Sequence, residues 1–177
     1  MKRLFIFTTL LFVCFTFVKS QTFVSTTPEN KNVILEEFTG ISCGYCPDGH
    51  LIAHGIHDSN PSDVAIIAIH AGGFASPQGA GTDFRTTFGT TIDSQWGISG
   101  YPSGTVNRQS VLGRGAWAGA ASQILTEPSP VNVGVQANVD STNTLIVDIE
   151  VYYTGSQTVT TNKLNVAVVQ NNVEGPQ

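Results

Sequence analysis

The sequence predicts two unlike folding units. An α/β unit with a central mixed sheet flanked by helices spans 21–127, and an all-β unit spans 128–177. Three observations carry this. Two apolar runs, Val33-Ile34-Leu35-Glu36-Glu37-Phe38 and Val64-Ala65-Ile66-Ile67-Ala68-Ile69, flank a stretch with helical spacing, the order of a parallel strand–helix–strand unit. A dithiol, Cys43-Gly44-Tyr45-Cys46, stands between the first run and that helix. Beyond Glu127-Pro128-Ser129-Pro130 helical periodicity gives way to alternation.

The first 20 residues read as a cleaved export signal. Lys2-Arg3 precede an apolar stretch over 4–17, and Val18-Lys19-Ser20 supplies the cleavage offsets, making Gln21 the mature terminus. The stretch falls short of the ~20 residues a bilayer span requires. Cys14 follows Val13, not the small residue that precedes a lipid-attachment cysteine. Residues 21–30 are polar and read as an extended lead-in.

From Cys43 the pattern turns helical, with Leu51, Ile52, Gly55 and Ile56 at helix spacing, Pro47 in the first turn and Asn60-Pro61 as the stop. Ser42 is a candidate N-cap. The continuous run over 64–69 suits the interior of a parallel sheet. Phe84, Phe88, Ile92 and Trp96 fall on one stripe of a second helix. Gly97-Ile98-Ser99-Gly100-Tyr101-Pro102 makes a turn, Thr105-Val106-Asn107 and Val111-Leu112 a hairpin, and Trp117, Ala120, Ala121 and Ile124 a last helix. Val131-Val133-Val135, Leu145-Val147-Ile149-Val151 and Leu164-Val166-Val168 then alternate as three half-buried antiparallel strands. They are expected to belong to a sandwich-type unit that this chain carries only in part, since so few strands are marginal alone.

Charge excludes some partners. The chain has 8 Lys+Arg against 13 Asp+Glu, and Lys2, Arg3 and Lys19 leave with the leader, so the mature charge falls from −5 to −8. This argues against nucleic acid or an anionic membrane surface as a partner. Only 12% of residues are charged, about half the usual ~25%.

Maturation leaves Cys43 and Cys46. A bridge closing so short a loop constrains little of the unfolded chain, which favours a redox role over a structural one. A helix N-terminus lowers the pKa of a thiol placed there. Glu36, Glu37 and Asp48 oppose that effect, and no Lys or Arg occurs between Lys31 and Arg85. The expected site is therefore a mild reductase or isomerase rather than a strong oxidant. Cys46, His50, His54 and His57 share one helix face. Cys46 and His57 lie about 16 Å apart along the axis, at ~1.5 Å per residue, too far for one four-ligand site. No metal is assigned; His50 is close enough to tune Cys46, and His70 could border the site or cap a turn.

The dithiol behind Glu37-Phe38, with Trp96-Gly97-Ile98-Ser99-Gly100-Tyr101-Pro102 before a strand, resembles the thioredoxin family over 21–127. The resemblance implies that Cys43 is the exposed nucleophile and Cys46 the buried resolving thiol. It implies that Pro102 is a cis-proline beside the disulfide, with Tyr101, Tyr45 and Gly44 contacting substrate. Glu37, six positions before Cys43, would be the buried acid that deprotonates the second thiol; the alternative is a solvated carboxylate at a strand end. The Gly44-Tyr45 pair is similar to that of periplasmic disulfide isomerases. The leader, the dithiol unit and the β unit together resemble the twenty-eight-kilodalton outer-membrane-protein family of Gram-negative bacteria. That resemblance is carried by Val33-Ile34-Leu35-Glu36-Glu37-Phe38-Thr39-Gly40, Cys43-Gly44-Tyr45-Cys46-Pro47 and Gly100-Tyr101-Pro102-Ser103-Gly104-Thr105-Val106-Asn107-Arg108.

These resemblances imply an exported protein of the periplasm, outer membrane or cell surface, peripherally associated with the outer membrane. The expected function is thiol–disulfide exchange on exported proteins through the Cys43–Cys46 pair, with no other cofactor and an external electron donor. The alternative is a non-catalytic binding or assembly module on the same scaffold, acting through exposed β edges.

Overall fold

The computed structural model describes residues 23–79, 81–156, 158–159 and 161–175. The expected leader, Cys14 and Gln21 lie outside the described residues. The described residues form a mixed α/β structure with three α-helices and several sheets. Its main sheet is built from β2 (Val33–Thr39), β3 (Val64–His70), β4 (Ser103–Val106) and β5 (Val111–Gly113), in the spatial order β3-β2-β4-β5. β2 and β3 are parallel, from Val33 opposite Val64 to Thr39 opposite His70, whereas β4 runs antiparallel to β2 and to β5.

The two faces of β2 explain the layering. Val33 and Leu35 join Val64, Val106, Ala53 and Ile56 of α1 (Cys46–Ser59), and Trp117, Ala121 and Ile124 of α3 (Trp117–Ile124), in one apolar core. Phe38 points the other way, packing with Ile69 and Ala71 against Ile92 and Trp96 of α2 (Thr87–Trp96). Alternation along the strand thus places α1 and α3 on one side and α2 on the other. On the α1 side the strand changes character along its length. Val33 and Leu35 are apolar, while Glu37 and Thr39, at the end that leads into the dithiol, are polar and buried.

Glu36, on the α2 side, is 2% exposed. It accepts hydrogen bonds from Thr105 Oγ1 at 2.9 Å and from Arg108 Nε and Nη2 at 2.9 and 2.5 Å. A buried carboxylate requires such partners. It also holds Arg108 in its charged form, chiefly through that hydrogen bond.

Several elements differ from expectation. β3 is an edge strand and not an interior one: it pairs only with β2 among the described residues, and Ala65 and Ala68 are exposed. Its apolar run is explained by helices on both faces. α1 begins at Cys46, with Tyr45 as N-cap and no side-chain cap. Ser42 instead accepts a hydrogen bond from Gln78 Nε2 at 2.5 Å. The buried stripe of α1 is Cys46, Gly49, Ala53 and Ile56, and Leu51 is exposed. α2 starts after the Thr86 cap, whose Oγ1 accepts from Gly89 N–H at 2.9 Å. Phe84 therefore precedes the helix, and Phe88 is 84% exposed.

Beyond α3 the described residues form a hairpin of β7 (Val131–Val139) and β8 (Leu145–Tyr153), not a sandwich. Asp140 shapes its turn by accepting from Thr142 and Thr144 N–H. The expected third strand at Leu164-Val166-Val168 is exposed and forms no ladder; alternation alone cannot make a strand without a neighbouring edge. The lead-in residues hold the hairpin. β1 (Glu29–Asn30) pairs with β6 (Pro128–Ser129), Asn132 donates to the carbonyls of Ser25 and Thr27, and Glu150 accepts from Phe23 and Val24 N–H.

Candidate dithiol site

Cys43 and Cys46 form a disulfide with an S–S distance of 2.16 Å and Cα atoms 5.4 Å apart. Cys46 opens α1, and Cys43 occupies the preceding turn, donating its N–H to Gly40 O at 3.0 Å. Gly40 fixes this turn by close approach: a Cβ there would lie 2.5 Å from the carbonyl carbon of Phe74. Ser42 N–H bonds Phe74 O at 2.9 Å, so the loop around Phe74 buttresses the dithiol turn. Cys43 is 5% exposed and Cys46 is 0% exposed. The difference runs in the expected direction, but Cys43 is a narrowly accessible sulfur and not an open one. Gly44 is exposed with open space where a Cβ would stand, and Tyr45 is 68% exposed.

The other nominated residues are placed as follows. The Tyr101–Pro102 bond is cis, and Pro102 is buried. A Cβ on Gly49 would lie 3.0 Å from Pro102 Cβ and Cγ and 2.7 Å from Glu37 Oε1. The bare backbone of Gly49, one turn after Cys46, thus lets the proline and the acid come together under the helix. Glu37 is 1% exposed, which excludes the solvated-carboxylate reading. Its Oε2 lies 2.9 Å from His50 Nδ1, while Oε1 has no hydrogen-bond partner among the described residues. Tyr101 donates its O–H to Asp93 Oδ1 at 2.6 Å and sets its ring edge-on to Phe74. Burial, then the Asp93 carboxylate, hold its phenol well above the usual range.

Two features escaped the sequence. Arg114 ion-pairs with Asp48 and lies 5.4 Å over the Tyr45 ring, which corrects the expectation of no basic residue near the dithiol. It comes from the turn after β5, far away in the chain. A shallow open cavity of ≈ 570 Å³ beside it is lined by Asp48, Ile52, Arg114 and Ala116. Phe74, half exposed, is the other; only its setting in Ala71-Gly72-Gly73-Phe74 marked a loop.

The histidines do not act together. His50 turns to Glu37 and Thr39, His57 pairs with Asp58, and His54 is exposed. Among the described residues no group of three or more His, Cys, Asp or Glu could hold a metal ion. His70 is half-buried against Phe84, with Nδ1 unpaired among the described residues. Burial, and secondarily the charge of His50, lower its pKa from 6.5. Its folded pKa lies below the unfolded one, so its contribution to stability is fully present above pH 6.5 and is lost as pH falls through the lower folded value. His70→Leu is expected to flatten that part of a pH series of urea midpoints; an unchanged slope would show that His70 is not its source.

Among the described residues no helix is long and apolar enough to cross a membrane. The family model described as Outer membrane protein Omp28 matches residues 89–177. A comparison with curated proteins found no match. Among solved structures the chain is similar to HBP35 of Porphyromonas gingivalis, with 22% identity, a TM-score of 0.41, and 62% of this chain and 38% of that chain covered. It is also similar to a crystal structure of an Agrobacterium tumefaciens protein, with 16% identity, a TM-score of 0.46, and 65% and 55% covered.

Proposed function

Because the chain belongs to the outer membrane protein Omp28 family and is thus an exported protein of the cell envelope, we propose that it carries out thiol–disulfide exchange there, in a thioredoxin-like unit. The observation that carries this reading is the Cys43–Cys46 pair at the start of α1, with buried Glu37 and cis-linked Pro102 packed beneath the same helix turn. In the reduced form Cys43 thiolate attacks a substrate disulfide, forming a mixed disulfide and expelling one substrate thiolate. Cys46 loses its proton and attacks Cys43 Sγ, releasing the second thiolate. The substrate gains two electrons and two protons, the dithiol loses them, and an external dithiol donor restores it.

The direction is reductase- or isomerase-like. Glu37 and Asp48 flank the helix start, and the cation beside it among the described residues, Arg114, is already paired with Asp48. That leaves little to stabilise a thiolate beyond the helix terminus itself. Exposed Gly44 and Tyr45, with Phe74 across the dithiol turn, offer an extended substrate backbone and its apolar side chains a surface. Reduction of insulin disulfides by the full chain, lost in Cys43→Ser, tests the reading; wild-type protein without turnover would overturn it.

The hairpin favours a second reading. Val133, Val135, Val139, Leu145, Ile146, Val151 and Tyr153 are all exposed, more apolar surface than an isolated hairpin normally leaves in water. On this reading the chain is a binding or assembly module, which would bind an envelope partner through β7–β8 without reducing insulin.

A further inference from the structure

We propose that His50 is a positioning residue for proton transfer: through Glu37, it carries to solvent the proton that the Cys46 thiol must release. The inference deepens the thiol-exchange reading and rests on it. The resolving step requires a Cys46 thiolate, yet Cys46 is 0% exposed, so its proton cannot pass directly to water. Glu37 is equally buried. Its unpartnered Oε1 sits beneath Gly49, on the same buried face of α1 and one turn from Cys46. A buried carboxylate oxygen with no donor is costly unless something meets it in another state. In the reduced protein the Cys46 thiol is the donor that face can supply.

A proton taken up by Glu37 would be stranded without an exit, and His50 supplies one. Its Nδ1 is 2.9 Å from Glu37 Oε2, its Nε2 is 3.3 Å from Thr39 Oγ1, and its side chain is 24% exposed. The ring therefore links the buried acid to the Thr39 hydroxyl, and part of the same side chain is open to solvent. Two protonation states that differ by one proton fit these contacts. Nδ1–H donates to the carboxylate while Nε2 accepts from Thr39, or Glu37 donates to Nδ1 while Nε2–H donates to Thr39. Thr39 accommodates both because its hydroxyl both donates and accepts. In the resolving step the Cys46 S–H bond breaks, its proton passes to Glu37, and the equivalent proton leaves from the His50 side. The Cys46 electron pair then forms the S–S bond as the substrate thiolate departs and takes a proton from water.

Among the described residues, these titratable groups stand around His50. β2 presents Glu37 on this side, while Glu36 is engaged with Arg108 on the opposite face. β3 contributes only His70, which feels the His50 charge. α3 has no titratable residue, and on α1 itself Cys46 and exposed His54 are the neighbours on this face.

The test separates the two thiols. The full chain is reduced with dithiothreitol, and Cys43 alkylation by iodoacetamide is measured against pH. Closure of the Cys43–glutathione mixed disulfide, formed with glutathione disulfide, is then followed in stopped flow. His50→Asn retains a donor near the Nδ1 position but cannot pass a proton through a ring. It is expected to leave the Cys43 profile unchanged and to slow closure about tenfold near pH 7. The deficit should shrink toward pH 9, where hydroxide is abundant enough to ionise Cys46 during brief local openings, without the relay. Closure at the wild-type rate, or slowed by one factor at every pH, would overturn the relay. Should the variant fail to fold, NMR of the wild-type His50 ring replaces it. Its titration should differ between oxidised and reduced protein, and coincident curves would refute the proposal. Glutathione exchange needs no protein substrate, so failure to reduce insulin with pH-dependent closure intact would count against the enzymatic reading alone.

Discussion

A Cys46→Ser chain is expected to accumulate mixed disulfides with envelope proteins, while a Cys43→Ser chain accumulates none. The asymmetry follows from burial. Cys43 keeps 5% of its surface, beside exposed Gly44 and Tyr45, whereas Cys46 has none. A substrate sulfur can therefore meet only Cys43 in line. Without Cys46 the mixed disulfide loses its internal nucleophile and decays by uncatalysed rearrangement, over about minutes to hours. Non-reducing electrophoresis after acid quenching would display the adducts, and dithiothreitol would remove them. Equal adducts in the two variants would mean that the sulfurs are interchangeable and that the order of attack is wrong.

The second large effect is on stability. Trp117→Ala is expected to lower unfolding free energy by about 3–5 kcal/mol, the usual loss for truncating a buried large aromatic residue. Trp117 is 0% exposed, fills the core between α3 and the sheet, and donates its indole N–H to Leu112 O at 3.1 Å. Its ring lies over Gly104, where a Cβ would come within 2.9 Å of Trp117 Cε2, so that side of the space has no side chain to fill it. Trp117→Phe should cost less, losing chiefly the hydrogen bond at about 1 kcal/mol and part of the packing. Urea titrations with an unchanged slope and a lower midpoint would register both. A loss below about 1 kcal/mol for Trp117→Ala would show that α3 does not anchor the sheet.

The α/β part was legible because its signals are local and strong. Two apolar runs of strand length, a proline in the first turn of a helix and a Gly-Tyr-Pro turn each specify a conformation over a few residues. β2, β3, α1, α3 and the β4–β5 hairpin accordingly fall where the pattern puts them. The errors have a common cause. Apolar periodicity says that a side chain prefers burial, not which neighbour is available to bury it. The stripe from Phe84 to Trp96 looked continuous, but the Thr86 cap starts the helix later and Phe84 packs on His70 instead. Leu164, Val166 and Val168 alternate as well as any strand does, yet no sheet edge meets them among the described residues.

By itself the sequence determined the dithiol: its spacing, its place between a strand and a helix, and the acid six residues before it. Those are covalent neighbours, and a few residues of backbone geometry fix them. Tertiary structure decided what surrounds it. Whether Glu37 faced solvent or the underside of α1 depended on the two-residue alternation of β2 and on the bare backbone of Gly49. Whether a cation stood near the dithiol depended on how the β5 turn carries Arg114 back over Tyr45, 69 positions along the chain. Linear distance between charges says little about their spatial distance, because the sheet folds remote strand ends onto one edge. The acid meets His50 and the underside of α1, one turn from Cys46, only there.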